Sequence, residues 1–354
     1  MGKKQKERQT RATFLSKIFL WLAGVALLAA FATAYYFYLN IYAPSVTIKP
    51  DDPYIYIHSR SNYNDLLASL QQENTVRSVT SFDRVARKMN LPNNIHPGKY
   101  RLENGMSNYA LVSLLRSGKQ EPVKLVLNKF RLKEDLAAFI SQKLETDSLT
   151  LITALNDSAY LKRFSVTAEE AMCLIIPNTY LIYWNSDAGQ FLTRMKKEYD
   201  RFWTSDRKQQ AAKLKLTQTE VITLASIVDE ETNYTAEKNR IAGVYLNRLR
   251  KGMPLQADPT VKFALKNFML KRILKVHLDY VSPYNTYRVK GLPPGPICTP
   301  SIASIDAVLQ AERNDYYYFC ADPDKPGTHV FARDLRQHLL NAKRYQQWLN
   351  QQQL

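Results

Sequence analysis

The sequence predicts an α+β protein: one N-terminal membrane helix, a small α/β module and a larger mixed α/β domain. Three observations predict it. No charged residue occurs in the 25 positions from Ile18 to Tyr42. Short strand-like runs then alternate with amphipathic helical ones. Further on, longer amphipathic helices are separated by proline- and glycine-rich loops and two short aromatic runs. The 354 residues, 45% hydrophobic and including 22 tyrosines, suffice for two or three ordered domains.

The first element is a candidate membrane span. At 1.5 Å per residue an uncharged run of this length exceeds the roughly 30 Å hydrocarbon core of a bilayer. Trp21 lies near one end, and Tyr35, Tyr36, Tyr38 and Tyr42 lie near the other, as interfacial anchors do. Lys3, Lys4, Lys6, Arg8, Arg11 and Lys17 precede the run against one Glu, which predicts a cytoplasmic N-terminus. A cleaved signal peptide is the alternative, since "LLAAFATAYY" has A-x-A character. The run is longer than a signal core of ~7–15 residues, which favours a retained single-pass anchor.

The formal charge is +17, of which residues 1–17 carry +5, leaving +12 on the rest. With that remainder on the outer face of the membrane, nucleic acid is excluded as a partner. Anionic lipid heads or a carboxylate-bearing wall polymer fit instead. Cys173, Cys298 and Cys320 form no C-x-x-C and no Cys/His cluster with zinc spacing. They are expected to be packed thiols. No metal and no cofactor is expected.

After the anchor, "YIYIH" leads into "SNYNDLLASL", "GKYRLE" into "SNYALVSLLRSGK", and "EPVKLVLNKF" into "RLKEDLAAFISQKL". The shared S-N-Y and the leucine stripes that follow are an internal echo of β-then-α units. Such a module resembles LysM-type carbohydrate binders; a generic α+β spacer fits the pattern equally. Residues 146–216 read as mostly helical, interrupted at "LIIPNTYLIYW", where Pro177 predicts a turn. Phe191–Trp203 reads as a helix. A further helix is expected from about Ala236 to Lys251, with Ile241, Val244, Tyr245 and Leu249 as its stripe and Gly252 as its stop. Then come the loop "MPLQADPTV", the long loop "YVSPYNTYRVKGLPPGPICTP", a helix over Ser301–Ala311, the strands "YYYFCAD" and "GTHVFA", and a last helix. A rigid loop of such length points to function.

The most informative stretch is the helix opened by the capping box Thr217-x-x-Glu220. Val221, Leu224, Ala225 and Val228 recur as one apolar stripe. Three acids follow where that stripe should continue. At 100° per residue from Val221, Asp229 falls at about 80°, Glu230 at about 180° and Glu231 at about 280°. Glu230 is thus expected in solvent, Asp229 at a boundary, and Glu231 beside Leu224, in low dielectric. Burial raises a carboxyl's pKa, and a carboxyl protonated near neutrality suits a general acid acting on a glycosidic oxygen. A frayed helix end, or pairing with Arg240 or Arg248, would also account for Glu231.

Four ordered motifs, "LASIVDEET", "NRLRKGMPLQADPTV", "PYNTYRVKGLPPGPI" and "HVFA", resemble the endolytic murein transglycosylase (MltG, YceG-like) family, from about Val46 to the C-terminus. The resemblance implies an anchored lyase that cuts MurNAc–GlcNAc bonds within nascent glycan strands, leaves 1,6-anhydro-MurNAc ends and helps terminate strand elongation. The second Glu of the family's S-I-[IV]-E-x-E-[TA] core is catalytic; that position is Glu231 here. The first Glu is replaced by Asp229, which is carried with Asn247 as a supporting residue. L-Q-x-D-P-T-V matches Leu255 to Val261, Y-N-T-Y matches Tyr284 to Tyr287, and G-L-P-P-G matches Gly291 to Gly295. The family's P-D-T-Y turn appears as Pro177 to Tyr180 with Asn178 for the acid, which suggests a structural role.

Candidate substrate-binding residues are Gln256, Asp258, Tyr284, Asn285, Tyr287 and His329. Asp258 before Pro259 would also serve as a loop cap, Asn285 as a turn residue, the two tyrosines as core, and His329 as ordinary strand packing. The implied partners are peptidoglycan glycan strands, the membrane, and peptidoglycan synthases or penicillin-binding proteins.

The full expectation is an α+β chain with an N-terminal transmembrane helix, a small LysM-like α/β module and a mixed α/β catalytic domain. Its parts are a cytoplasmic tail (1–17), the span (18–42), a LysM-like wall-binding module (43–130), a helical connecting region (131–216) and a catalytic transglycosylase region (217–354). A non-catalytic wall-binding scaffold of the synthesis machinery is the rival from another class, and a hydrolytic muramidase using Glu231 with Asp258 is the rival chemistry.

Overall fold

The computed structural model describes residues 2–49 and 52–351, with backbone alone for residues 3–13 and 16. The side chains of Lys3, Lys4, Lys6, Arg8 and Arg11, on which the expected orientation rests, lie outside the described part. The chain divides into two compact units, 1–122 and 123–354.

The first unit opens with helix α1 (Gly2–Tyr42), of which Lys17–Tyr42, 26 residues, is apolar enough to cross a membrane. Its large side chains, from Phe19 and Trp21 to Phe37 and Tyr38, are exposed. Strand β1 (Tyr54–Ile57), helices α2 (Tyr63–Gln72) and α3 (Val79–Lys88), strand β2 (Gly98–Arg101) and helix α4 (Asn108–Ser117) follow. β1 and β2 pair antiparallel, Tyr54 opposite Arg101. Alternation along both strands sends Ile55, Ile57 and Tyr100 inward to meet Leu66, Leu70, Phe82, Leu111 and Leu115. The two S-N-Y repeats cap their helices one residue out of phase. Asn62 caps α2, whereas Ser107 caps α4 and Asn108 is free to reach α1.

The second unit begins with strand β3 (Val123–Leu127), helices α5 (Lys133–Ser141), α6 (Ser148–Asn156) and α7 (Ser158–Leu161), strand β4 (Asn178–Ile182) and helices α8 (Ala188–Phe202) and α9 (Ser205–Leu214). Next come α10 (Gln218–Glu231), α11 (Thr235–Arg250), α12 (Asp258–Ala264), α13 (Lys275–Leu278) and α14 (Ile302–Leu309). Strands β5 (Tyr318–Ala321) and β6 (His329–Ala332) and helix α15 (Leu335–Gln351) complete it. β3 pairs with β4 and β5 with β6, both antiparallel.

Several expectations change here. β3 finds its partner in β4, so residues 123–130 pack with the second unit and not with the small module. Residues 131–216 do not merely connect. Leu136, Ile140, Phe191 and Met195 share one core with Leu224, Ile241 and Val308. Pro177 ends its apolar run by opening β4, so the P-N-T-Y stretch builds a strand. "ADPTV" is a helix, α12, with Pro259 in its first turn, where a missing N–H costs nothing.

Helix α10 is the axis of this core. Its capping box forms as read: Glu220 N donates to Thr217 Oγ1 at 3.2 Å and Thr217 N to Glu220 Oε2 at 2.7 Å. Every residue from Val221 to Asp229 is buried, on all faces rather than along one stripe. The proline-rich segment after Gly291 is part of the reason. Ile297 N donates to Ser226 Oγ at 3.0 Å, and Cys298 is buried against α10. Gly295 lets that segment pass Glu169, because a Cβ there would lie 2.0 Å from the Glu169 carbonyl oxygen. Cys173, Cys298 and Cys320 are free thiols, the first two buried.

Candidate active site

The three consecutive acids at the end of α10 have three different surroundings. Asp229 is 3% exposed. Its Oδ2 lies 2.6 Å from Lys129 Nζ and its Oδ1 lies 2.8 Å from Lys238 Nζ. Ser301 Oγ donates to Oδ1 at 2.7 Å, and Ser304 Oγ donates there too. Burial alone would raise this carboxyl, but the bonds from Lys129, Lys238, Ser301 and Ser304 hold it well below the usual aspartate range. The expected boundary position is therefore wrong: Asp229 is an ionised buried brace that ties α10 to α11, α14 and the strand β3 side.

Glu230 is not a solvated acid either. Its side chain is 12% exposed, with Arg131 Nη2 at 2.8 Å from Oε2 and Lys129 Nζ at 3.3 Å from Oε1. Helical phase correctly turned it away from Leu224, but cations carried by the segment after β3 cover that face.

Glu231 opens on the larger cleft, while Glu230 borders only a small one of about 160 Å³ beside Arg131 and Lys262. The larger cleft, about 510 Å³, is lined by Glu231, Tyr245, Gln256 and Asp258 together with β5, His329 and α15. Burial pushes the Glu231 carboxyl up to about 7. A hydrogen bond from Tyr245 opposes that rise, as does Lys262, while the charges of Asp258 and Glu230 add to it. The Tyr245 hydroxyl donates to Glu231 Oε1 at 2.6 Å. The alternative partners are engaged elsewhere. Arg240 pairs with Glu312 at 3.0 Å, and Arg248 bonds to carbonyl oxygens.

Arg248, 6% exposed, is the hinge pin of the cleft floor. Its Nε donates to Tyr317 O at 2.6 Å. Nη1 donates to Pro254 O, Leu255 O and Gln256 Oε1 at 3.1, 2.8 and 3.1 Å. One side chain thus fastens the start of β5 and the 254–256 segment to α11. Gln256 adopts φ +52°, a left-handed conformation costly for a non-glycine residue and typical of functional sites. It is held there by Gln256 N donating to Thr286 O at 3.0 Å and by the Ala257–Thr260–Thr286 hydroxyl network.

The other expected contacts separate into two groups. Asp258, Tyr287 and His329 face the cleft with Gln256. Tyr287 OH donates to Asp258 Oδ1 at 2.6 Å, so the aspartate is oriented rather than free. His329 Nδ1 lies 2.9 Å from Glu237 Oε2, which fixes its ring at the cleft wall. Tyr284, Asn285 and Asn247 lie outside the cleft lining. Tyr284 packs its ring at a tilt against Phe263, with centroids 4.7 Å apart. Asn285 is fully buried and donates to Leu278 O and Tyr280 O, building its own loop. Asn247 donates to Asn314 O and Tyr316 O, steadying the approach to β5. The turn-forming reading of Asn285 and the core reading of Tyr284 are the ones the geometry supports.

Sequence reasoning missed Tyr245, Arg248, Tyr318 and His338 in the cleft. Tyr245 carried a signal: a tyrosine on a buried stripe needs a partner for its hydroxyl. Arg248 carried another, as a charged residue one turn further along the same helix. His338, stacked on Tyr318 with centroids 5.1 Å apart, has its pKa lowered by burial and then by Arg248.

Comparison with known proteins identifies what the chain resembles. Residues 55–344 match the YceG-like family. A Bacillus subtilis (strain 168) protein named endolytic murein transglycosylase is 27% identical over 306 residues, covering 82% of this chain and 84% of the relative. A Streptococcus pneumoniae (serotype 2, strain D39) protein of the same name is 26% identical over 316 residues, covering 80% of this chain and 56% of that longer relative. The crystal structure of a YceG-like protein from Listeria monocytogenes superposes with a TM-score of 0.54 at 27% identity, over 81% of this chain and 97% of the other.

Proposed function

The chain belongs to the YceG-like family, and we propose that it is an endolytic peptidoglycan lytic transglycosylase with Glu231 as its acid and base. One observation carries the reading. Of the two carboxyls that line the open cleft, Glu231 is the one raised to about 7, and it is held by one tyrosine hydroxyl. Protonated Glu231 gives its proton to the oxygen of the MurNAc–GlcNAc bond as C1–O cleaves. The C6 hydroxyl of the same MurNAc then bonds to C1, and its proton passes to the Glu231 carboxylate. The product ends in 1,6-anhydro-MurNAc, no water is consumed, and the carboxyl is restored. A pKa near the working pH serves both steps.

Gln256 and Asp258 orient sugar hydroxyl or acetamido groups, Tyr287 offers a ring face, and His329 borders the cleft. Residues 18–42 anchor the chain in the cell membrane with the N-terminus in the cytoplasm, and the remainder acts on the outer face. The β–α–α–β arrangement of the small unit supports a LysM-like wall-binding role, with its end at residue 122. Peptidoglycan synthases or penicillin-binding proteins are the partners such a position favours.

Mass spectrometry of products released from isolated sacculi by the purified protein tests the reading. Anhydro ends are expected. Reducing ends carrying solvent oxygen would instead assign a hydrolase using Glu231 with Asp258, and no release at all would assign a wall-binding scaffold.

A further inference from the structure

A second cavity, about 540 Å³, lies within the first unit, where the end of α1 meets α3 and α4. Its walls are apolar: Tyr36, Phe37 and Ile41 from α1, Met89 after α3, and Tyr109 from α4. Arg84 and Lys88, one turn apart on α3, stand at its edge, both exposed. Nothing in the reaction proposed for Glu231 uses this cavity.

The junction is built rather than incidental. Ser81 Oγ donates to Asn40 Oδ1 at 2.8 Å, and Asn108 Nδ2 donates to Asn40 O at 2.8 Å. Arg84 Nη1 reaches Tyr36 OH at 3.3 Å. These bonds fix α3 and α4 on the last turns of the membrane helix. A 26-residue helix is about 39 Å long, against a hydrocarbon core of roughly 30 Å. Its last turns therefore lie at headgroup depth, and Arg84 and Lys88 lie there with them.

Two features set this place apart from an ordinary interfacial belt. Tyr109 belongs to α4, not to the span, yet it is 45% exposed and pairs with Tyr42, ring centroids 5.5 Å apart. Among the described residues Lys88 has no ion-pair partner, and Arg84 is bonded to a neutral phenol rather than to a carboxylate. Two uncompensated cations beside an apolar cavity, at the depth of lipid phosphates, complement one anionic lipid: phosphate on the cations, upper acyl chain in the cavity.

We propose that this cavity binds one anionic phospholipid, with Arg84 and Lys88 holding the phosphate and the aromatic wall holding the acyl chain. The proposal rests on reading α1 as a membrane span.

The test uses the full chain reconstituted into phosphatidylcholine vesicles containing a minority of phosphatidylglycerol. Flotation with the vesicles reads the span; native mass spectrometry after mild detergent extraction reads the lipid retained. Wild-type protein is expected to keep phosphatidylglycerol in preference to phosphatidylcholine. In Arg84→Ala/Lys88→Ala that preference should fall on the order of 30-fold, about fivefold for each basic side chain, with flotation unchanged. Tyr109→Ser should lower retention of both lipids. Equal retention of the two lipids by wild type, or an unchanged preference in the double variant, overturns the site. Failure of the wild type to float overturns the span instead.

Discussion

The Tyr245 hydroxyl on α11 donates to Glu231 Oε1 at the last residue of α10, at 2.6 Å. That bond fixes one carboxyl oxygen and leaves the other for the transferable proton. It also moderates the rise in pKa that burial imposes on Glu231. The pair thus sets both the aim and the acidity of the group proposed to cut the glycan.

The first consequence concerns neighbouring acids. Glu231→Gln keeps the shape of the side chain and removes the proton that is transferred. General acid–base catalysis contributes about 10²–10⁴-fold, so anhydro-muropeptide release should fall by that factor. Glu230→Gln loosens the Arg131 and Lys129 contacts and should keep the rate within about tenfold, at a cost of about 1 kcal/mol in stability. Both rates are measured on the same sacculi, with circular dichroism checking the folds. An active Glu231→Gln beside a dead Glu230→Gln would place the chemistry on the wrong acid.

Tyr245→Phe separates aim from acidity. Its hydroxyl lowers the Glu231 pKa, so its loss should raise that pKa further. Activity that needs protonated Glu231 falls as pH rises through about 7 in the wild type. In Tyr245→Phe the alkaline limb should move to higher pH, and kcat should fall roughly tenfold from lost orientation, with KM little changed. A pH–rate profile decides it: an alkaline limb that stays in place, or moves down, refutes the role given to Tyr245.

Much of this site was legible in the residues, and the limits are instructive. Charge and length marked out α1, and the capping box marked the start of α10. The order of motifs brought Glu231, Gln256 and Asp258 to one cleft. The helical phase of Glu230 and Asp229 was sound arithmetic, but it assumed an amphipathic helix. α10 is buried on all faces from Val221 to Asp229, so each side needed a partner from distant sequence. Lys129 and Arg131 lie about a hundred residues away in the chain, and no local period announces them. Asn285 and Tyr284 were misplaced for a related reason. A short loop motif does not say which of its polar groups face outward, and Asn285 spends its amide on Leu278 and Tyr280.

Asp229 should be a stability residue. Replacing it with Ala leaves Lys238, 6% exposed, as an uncompensated buried cation. Breaking such a pair costs about 3–5 kcal/mol, read as a lower urea midpoint. Its pKa is depressed in the fold, so the stabilisation is present above the ordinary aspartate pKa of 3.8 and is lost as pH falls through the folded value. Acidification below about 4 should therefore narrow the gap between wild type and Asp229→Ala. Asp229→Leu/Lys238→Met should recover part of the loss, because neither charge is then stranded. Additive losses in the double variant would argue against the brace.

Gln256 trades stability for position. Its φ of +52° suits glycine, so Gln256→Gly should match or exceed the wild-type unfolding free energy, by up to about 1 kcal/mol. Arg248 keeps its bonds to Pro254, Leu255 and Tyr317, so the cleft floor stays in place. The side chain facing the substrate is gone, and release should slow by roughly tenfold. A variant that is both destabilised and fully active would mean that Gln256 serves the fold and not the cleft.

The same physics that raises the Glu231 pKa makes this residue a liability to the fold at alkaline pH. A carboxyl free in the unfolded chain titrates near 4.5, and Glu231 in the fold near 7. Between those values the folded state holds a proton that the unfolded state has lost, so stability must fall as pH rises through that window. The stabilising preference for the protonated form is complete below 4.5 and gone above about 7. The difference between 4.5 and about 7 amounts to roughly 3 kcal/mol. Glu231→Gln removes the titration but keeps the neutral shape. At pH 3.5, about one unit below the unfolded pKa, the variant and the wild type should unfold at nearly the same denaturant concentration. At pH 8.5, about 1.5 units beyond the folded pKa, the variant should be the more stable by up to that amount. Equal stabilities at both pH values would mean that the Glu231 carboxyl is solvated in the free protein, and that its pKa is not set by burial in the cleft.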